Sequence, residues 1–74
     1  MKTYLYEAFD EIIADEELGE YRTYGINLTS DEGVMSIRDI SLCKETVLTT
    51  VARFNQHQLQ GVHFRDAVED LLAR

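Results

Sequence analysis

Seventy-four residues leave room for one hydrophobic core, so residues 1–74 read as a single small domain. Apolar residues at 45% exclude a disordered acidic tail, and no apolar run approaches the roughly 18 residues of a membrane span. Fourteen Asp and Glu against seven Lys and Arg give a net charge of −7, which excludes the basic stripe of a nucleic-acid binder and disfavours anionic membranes.

The acids are concentrated at the start. Residues 1–20 hold Glu7, Asp10, Glu11, Asp15, Glu16, Glu17 and Glu20 against Lys2 alone. Such a run reads as a solvated surface, as a face for a basic partner, or as a mimic of nucleic acid. Met1–Asp10 has no signal-peptide pattern, and Cys43 is the only cysteine. An intramolecular disulfide is impossible, so the cytoplasm is the expected compartment. Cys43, His57 and His63 are too few for a four-ligand zinc site of the usual kind, and no cofactor is expected.

Residues 3–14 admit two readings. Leu5, Phe9, Ile12 and Ile13 fit a helical stripe, whereas a strand would put Leu5, Glu7, Phe9, Glu11 and Ile13 on one face. The other strand face would carry Tyr4, Tyr6, Ala8, Asp10, Ile12 and Ala14. The strand is favoured, because Tyr, Phe and Ile prefer it and a helix would end on Asp15, Glu16 and Glu17, negative charge at its negative pole. Tyr21–Thr29 is a second strand, with Tyr24, Ile26 and Leu28 on its inner face. Gly25 within it marks a bulge or a close backbone approach. Ser30–Gly33 has turn chemistry, and Val34–Ile40 returns antiparallel with Met35 and Ile37 inward.

The hydrophobic period switches from two to 3.6 near Ser41, which is placed as a helix cap. Residues 44–55 and 63–72 are predicted helices, joined through Gln56–Gly61 with Leu59 tucked beneath, and Arg74 suits the last helix's C-terminal end. The expected fold is α+β: a three-stranded antiparallel meander followed by a helical hairpin, βββαα. Val47, Val51, Phe54, Phe64, Val68 and Leu71 should form the core with Tyr24, Ile26 and Ile37.

Tyr24-Gly25-Ile26, Asp39-Ile40-Ser41, Phe54-Asn55 with Leu59, His63-Phe64 and the run Asp66–Leu72 resemble a family of short uncharacterised proteins. These come from Gram-positive, mainly clostridial bacteria and are described as a domain of unknown function. The resemblance spans about residues 20–73 and departs from the family pattern at Gln60-Gly61, where Ser-Pro is expected. It implies a small α+β fold and a cytoplasmic bacterial setting, with no activity or cofactor.

Candidate chemistry is sparse. His63 with Asp66 and Asp70 at i+3 and i+7 could hold a divalent metal or act as an oriented base, against a structural role at the helix joint. Cys43 in a first helical turn could be reactive, or be a small core residue. Asn55 reads as a helix C-terminal cap. Helices covering one sheet face would leave some of Tyr4, Tyr6, Phe9 and Tyr21 exposed as an interaction surface. The expected function is non-catalytic: a protein-interaction or regulatory module with an unknown partner and a possible weak homodimer through the sheet. The alternative is an acidic inhibitor or nucleic-acid mimic acting on a basic partner.

Overall fold

In the computed structural model, which describes residues 3–73, the order is β1 (Leu5–Asp15), β2 (Gly19–Ser30), β3 (Gly33–Ser41), α1 (Lys44–His57) and α2 (Phe64–Leu72). A 3-10 turn, Gly61–His63, leads into α2. The three strands form one antiparallel sheet in the order β1-β2-β3, so the βββαα architecture holds. Arg74 lies outside the described residues.

The turns follow from local chemistry. Asp15 Oδ1 accepts the amides of Glu17 at 2.8 Å and Leu18 at 2.9 Å, and Gly19 supplies the φ of 77° that closes the first hairpin. Those amides, Leu18 first, hold the Asp15 carboxyl below its usual range. Ser30 Oγ accepts the Glu32 amide in the second turn, before Gly33.

Both helices pack on one face of the sheet. Tyr6, Ile26, Leu28, Ile40, Val47, Val51, Phe64 and Val68 form the buried core. Phe54, Leu71, Tyr24 and Ile37, expected inside, are half-buried against it. Met35 is opposite Leu28 in the register but 45% exposed, because it lies on the edge strand β3 two residues from the second turn. Tyr6 meets Phe54 and Phe64 edge-on, with ring centroids 5.2 and 5.3 Å apart.

The caps correct the sequence reading. β3 runs through Ser41, whose hydroxyl accepts the Cys43 amide at 3.0 Å, and Cys43 takes the cap position of α1. The left-handed residue ending α1 is Gln58, with φ 48°, rather than Asn55. The Gln58 amide bonds Asn55 O and the Leu59 amide bonds Phe54 O, a paired closure of the last turn that swings Leu59 onto the core. The helix therefore continues two residues beyond the predicted 55.

Gly25 fulfils both of its expected roles. The β2–β3 register shifts between Tyr24 and Ile26, and a Cβ on Gly25 would lie 2.5 Å from the Ile37 carbonyl oxygen. The Phe9 ring crosses the same position, 2.6 Å from that Cβ at its tip. Within the bulge Asp39 takes φ 54°, and its carboxylate receives the Thr23 hydroxyl at 2.8 Å and the Tyr21 hydroxyl at 3.2 Å.

Candidate interaction surface

The sheet separates the four aromatic candidates. Tyr6 is 1% exposed on the helix-covered face, and its hydroxyl donates to the Leu59 carbonyl. Burial, with Tyr4 nearby, pushes the Tyr6 phenol up to about 12. Tyr4 packs half-buried on that same face. Neither belongs to an open surface, contrary to the expectation, because the strand turns Tyr4, Tyr6 and Ala8 toward the helices.

Phe9 and Tyr21 do lie on the open face, both half-buried. Phe9 stands over Gly25, opposite it in the register, and Tyr21 is opposite Ile13. Burial and the Asp39 hydrogen bond raise the Tyr21 phenol above its ordinary value. Polar groups divide the rest of this face. Arg38 forks onto both carboxylate oxygens of Glu11 at 2.8–3.2 Å, and Ser36 bonds Asn27. Glu7, the Glu11–Arg38 pair and the Ser36–Asn27 pair thus interrupt Leu5, Phe9 and Ile13 on the described part of this face.

His63, Asp66 and Asp70 are all exposed, and no cluster of metal-ligating side chains occurs among the described residues. His63 closes the 3-10 turn and precedes α2, its amide donating to the Gln60 carbonyl at 2.9 Å. Asp70 instead borders a groove of about 260 Å³ between α1 and α2, with Arg53 and His57 opposite and Phe54 and Leu71 lining it. Cys43 is free and exposed, not a core residue. Its Sγ makes no regular capping bond, yet the Thr46 hydroxyl and the Thr46 and Glu45 amides face it and hold the thiol below its ordinary value.

The feature hidden from the sequence is the edge of β1. Asn55 Nδ2 donates to the Tyr6 carbonyl and Asn55 Oδ1 accepts the Tyr6 amide, both at 2.9 Å. Gln58 does the same for Tyr4, with both bonds at 3.1 Å. Two carboxamides thus satisfy the outward backbone groups of alternate residues, as a fourth strand would. The pattern stops at Tyr6. By the two-residue period, the backbone groups of Ala8, Asp10, Ile12 and Ala14 also point away from β2, and no protein group bonds them among the described residues.

This open stretch continues into an arm. Gly19–Thr23 pair with β1 but not with β3, so the β1–β2 hairpin projects beyond the rest of the sheet, and the molecule is 46 Å long against 25 and 18 Å. Ile12 is 56% exposed and Leu18, in the turn, 76%. Arg22 pairs with Asp10, while Glu16, Glu17 and Glu20 make no ion pair among the described residues. Only the acid run announces this region in the sequence.

No helix among the described residues is long and apolar enough to cross a membrane. Comparison with curated proteins and with solved structures gave no significant match. Residues 2–74, essentially the whole chain, match the family of unknown function DUF6514, and the protein belongs to that family.

Proposed function

We propose that this protein is a non-catalytic interaction or regulatory module of the bacterial cytoplasm, docking through its β1–β2 arm. The observation that carries this reading is the unpaired β1 edge from Ala8 to Ala14, beside a stretch of the same strand that Asn55 and Gln58 close. Exposed backbone donors and acceptors form a template for another chain, and folded proteins ordinarily blunt such edges. Exposed Ile12 and Leu18 add apolar area to the same arm. The free, unpaired Cys43 is consistent with a reducing compartment.

A photo-crosslinking side chain in place of Ile12 tests the reading in the cell of origin. It should trap a discrete partner that the same side chain at Val62, exposed beside the helices, does not. Crosslinking from Val62 alone would move the interface to the helices, and none from either site would remove the docking role. A second reading, an acidic inhibitor or nucleic-acid mimic, is favoured by Glu16, Glu17 and Glu20 at the arm's tip. Salt separates the two: a mimic loses affinity steeply with ionic strength, whereas backbone pairing over apolar contacts loses little.

A further inference from the structure

We infer that the partner contributes an extended segment with basic side chains on one face and apolar side chains on the other, adding to β1 as a fourth strand over Ala8–Ala14. This rests on the interaction-module reading and specifies its occupant. Ala8, Asp10, Ile12 and Ala14 each offer one outward amide and one outward carbonyl, eight groups in a row. β1 pairs with β2 across eleven residues without a register shift, and it contains no proline. The opposite edge strand, β3, is shorter and carries the bulge at Asp39. β1 is therefore the edge without the usual backbone protection.

The side chains along this edge set the partner's two faces. On the helix side, Ala8, Tyr24 and Leu48 of α1 border a groove of about 400 Å³ that also carries Lys44 and the Asp10–Arg22 pair. Leu48 is 45% exposed there, and Ile12 stands exposed farther along the arm, beyond the Asp10–Arg22 pair. Alternate side chains of an added strand would fall beside Ala8 and Leu48 and onto Ile12, and at those positions they should be apolar. On the open side, β1 presents Glu7, which makes no ion pair among the described residues, while Glu11 is drawn toward β3 by Arg38 and Asp15 holds its own turn amides. The partner's intervening side chains would stand beside Glu7 on an arm rich in acids, so they should be basic.

Charge also decides against a second copy. Residues 7–20 contain seven acids and no Lys or Arg. Antiparallel pairing of β1 with its own copy would bring the acids of both arms together, with Asp10 and Glu11 alone ion-paired among the described residues, and like charges across strands destabilise pairing.

The test is an NMR titration of the full chain with a blocked octapeptide of alternating Lys and Val, and with its Glu–Val counterpart. The Lys–Val peptide should shift the Ala8, Asp10, Ile12 and Ala14 amides and slow their hydrogen exchange at least about tenfold. The Glu–Val peptide should not. Ile12→Pro, which removes a central outward donor, should weaken binding about tenfold or more while leaving the Val47 and Phe64 resonances in place. If that variant fails to fold, Glu7→Lys at an exposed position supplies the second reading, with about fivefold weaker binding and a flatter salt dependence. Lys–Val binding that bypasses these four amides and perturbs Phe9, Ile13 and Tyr21 would overturn edge addition. Absence of Lys–Val binding would overturn the basic segment. In either case an Ile12 crosslink would leave the docking role of the arm standing.

Discussion

Asn55 and Tyr6, 49 positions apart, are joined by two hydrogen bonds of 2.9 Å in which one carboxamide serves both the amide and the carbonyl of a single edge residue. A helix side chain thereby completes one rung of the sheet. The same bonds fix where α1 sits along β1, because the carboxamide's donor and acceptor must both find that residue.

Asn55→Asp keeps the acceptor for the Tyr6 amide but sets a carboxylate against the Tyr6 carbonyl. The expected cost is roughly 1–3 kcal/mol, with a similar loss for Asn55→Leu. Urea melts should show a lower midpoint at unchanged slope, and the Tyr6 amide should exchange faster. A midpoint equal to the parent's would mean that the clamp contributes nothing.

Tyr6 makes stability sensitive to alkaline pH. Its folded value of about 12 lies above the ordinary 10.0, so the fold favours the neutral phenol. The stabilisation is fully present below pH 10 and is lost as pH rises through the folded value, a change of at most roughly 2–3 kcal/mol. Tyr6→Phe should be less stable at pH 8, since the Leu59 carbonyl loses its donor, and should show a shallower decline above pH 10. Parallel profiles for the two proteins would contradict the assignment.

At Gly25 the obstacle is backbone. A methyl there would lie 2.5 Å from the Ile37 oxygen and 2.6 Å from Phe9 Cζ. Gly25→Ala should cost about 2 kcal/mol or more, and adding Phe9→Ala should not restore the loss, because the carbonyl remains. Full rescue by the second substitution would show that the ring alone sets the limit.

The two helix-face residues Phe64 and Leu71 should differ in the same assay. Phe64 is fully enclosed, and its replacement by Ala should cost about 3–5 kcal/mol. Leu71 is half-buried beside the groove between the helices, so Leu71→Ala should cost less than the ~2 kcal/mol lower bound for enclosed leucines. Equal losses would mean that the groove is closed in solution.

Self-association through the open face should depend on salt. Leu5, Phe9, Ile13 and Val34 lie there but are separated by Glu7, the Glu11–Arg38 pair and Asp39, on a chain of net charge −7. Light scattering should find a monomer at low salt and weak dimerisation only as ionic strength rises, since screening shortens to about 3 Å at 1 M. A dimer that salt disperses would point to an ion-paired interface instead.

The sequence by itself determined the order of the elements. The change of period near Ser41 separates strands from helices, and Ser30–Gly33 and Gly25 announced a turn and a bulge. These signals are local, since turn chemistry and side-chain period are set within a few residues. It also gave a repeating apolar stripe at Phe64, Ala67, Val68 and Leu71, which is why α2 was placed to within a residue of its start. The inward face of β1 was beyond its reach, because acids interrupt both faces and no period distinguishes them. Only the tertiary structure chose Tyr4, Tyr6 and Ala8, through Asn55 and Gln58 on the edge and the Leu59 carbonyl above the Tyr6 hydroxyl. The open edge has the same origin. Which backbone groups face outward depends on pairing with β2, and where they stop being satisfied depends on two carboxamides about 50 residues away.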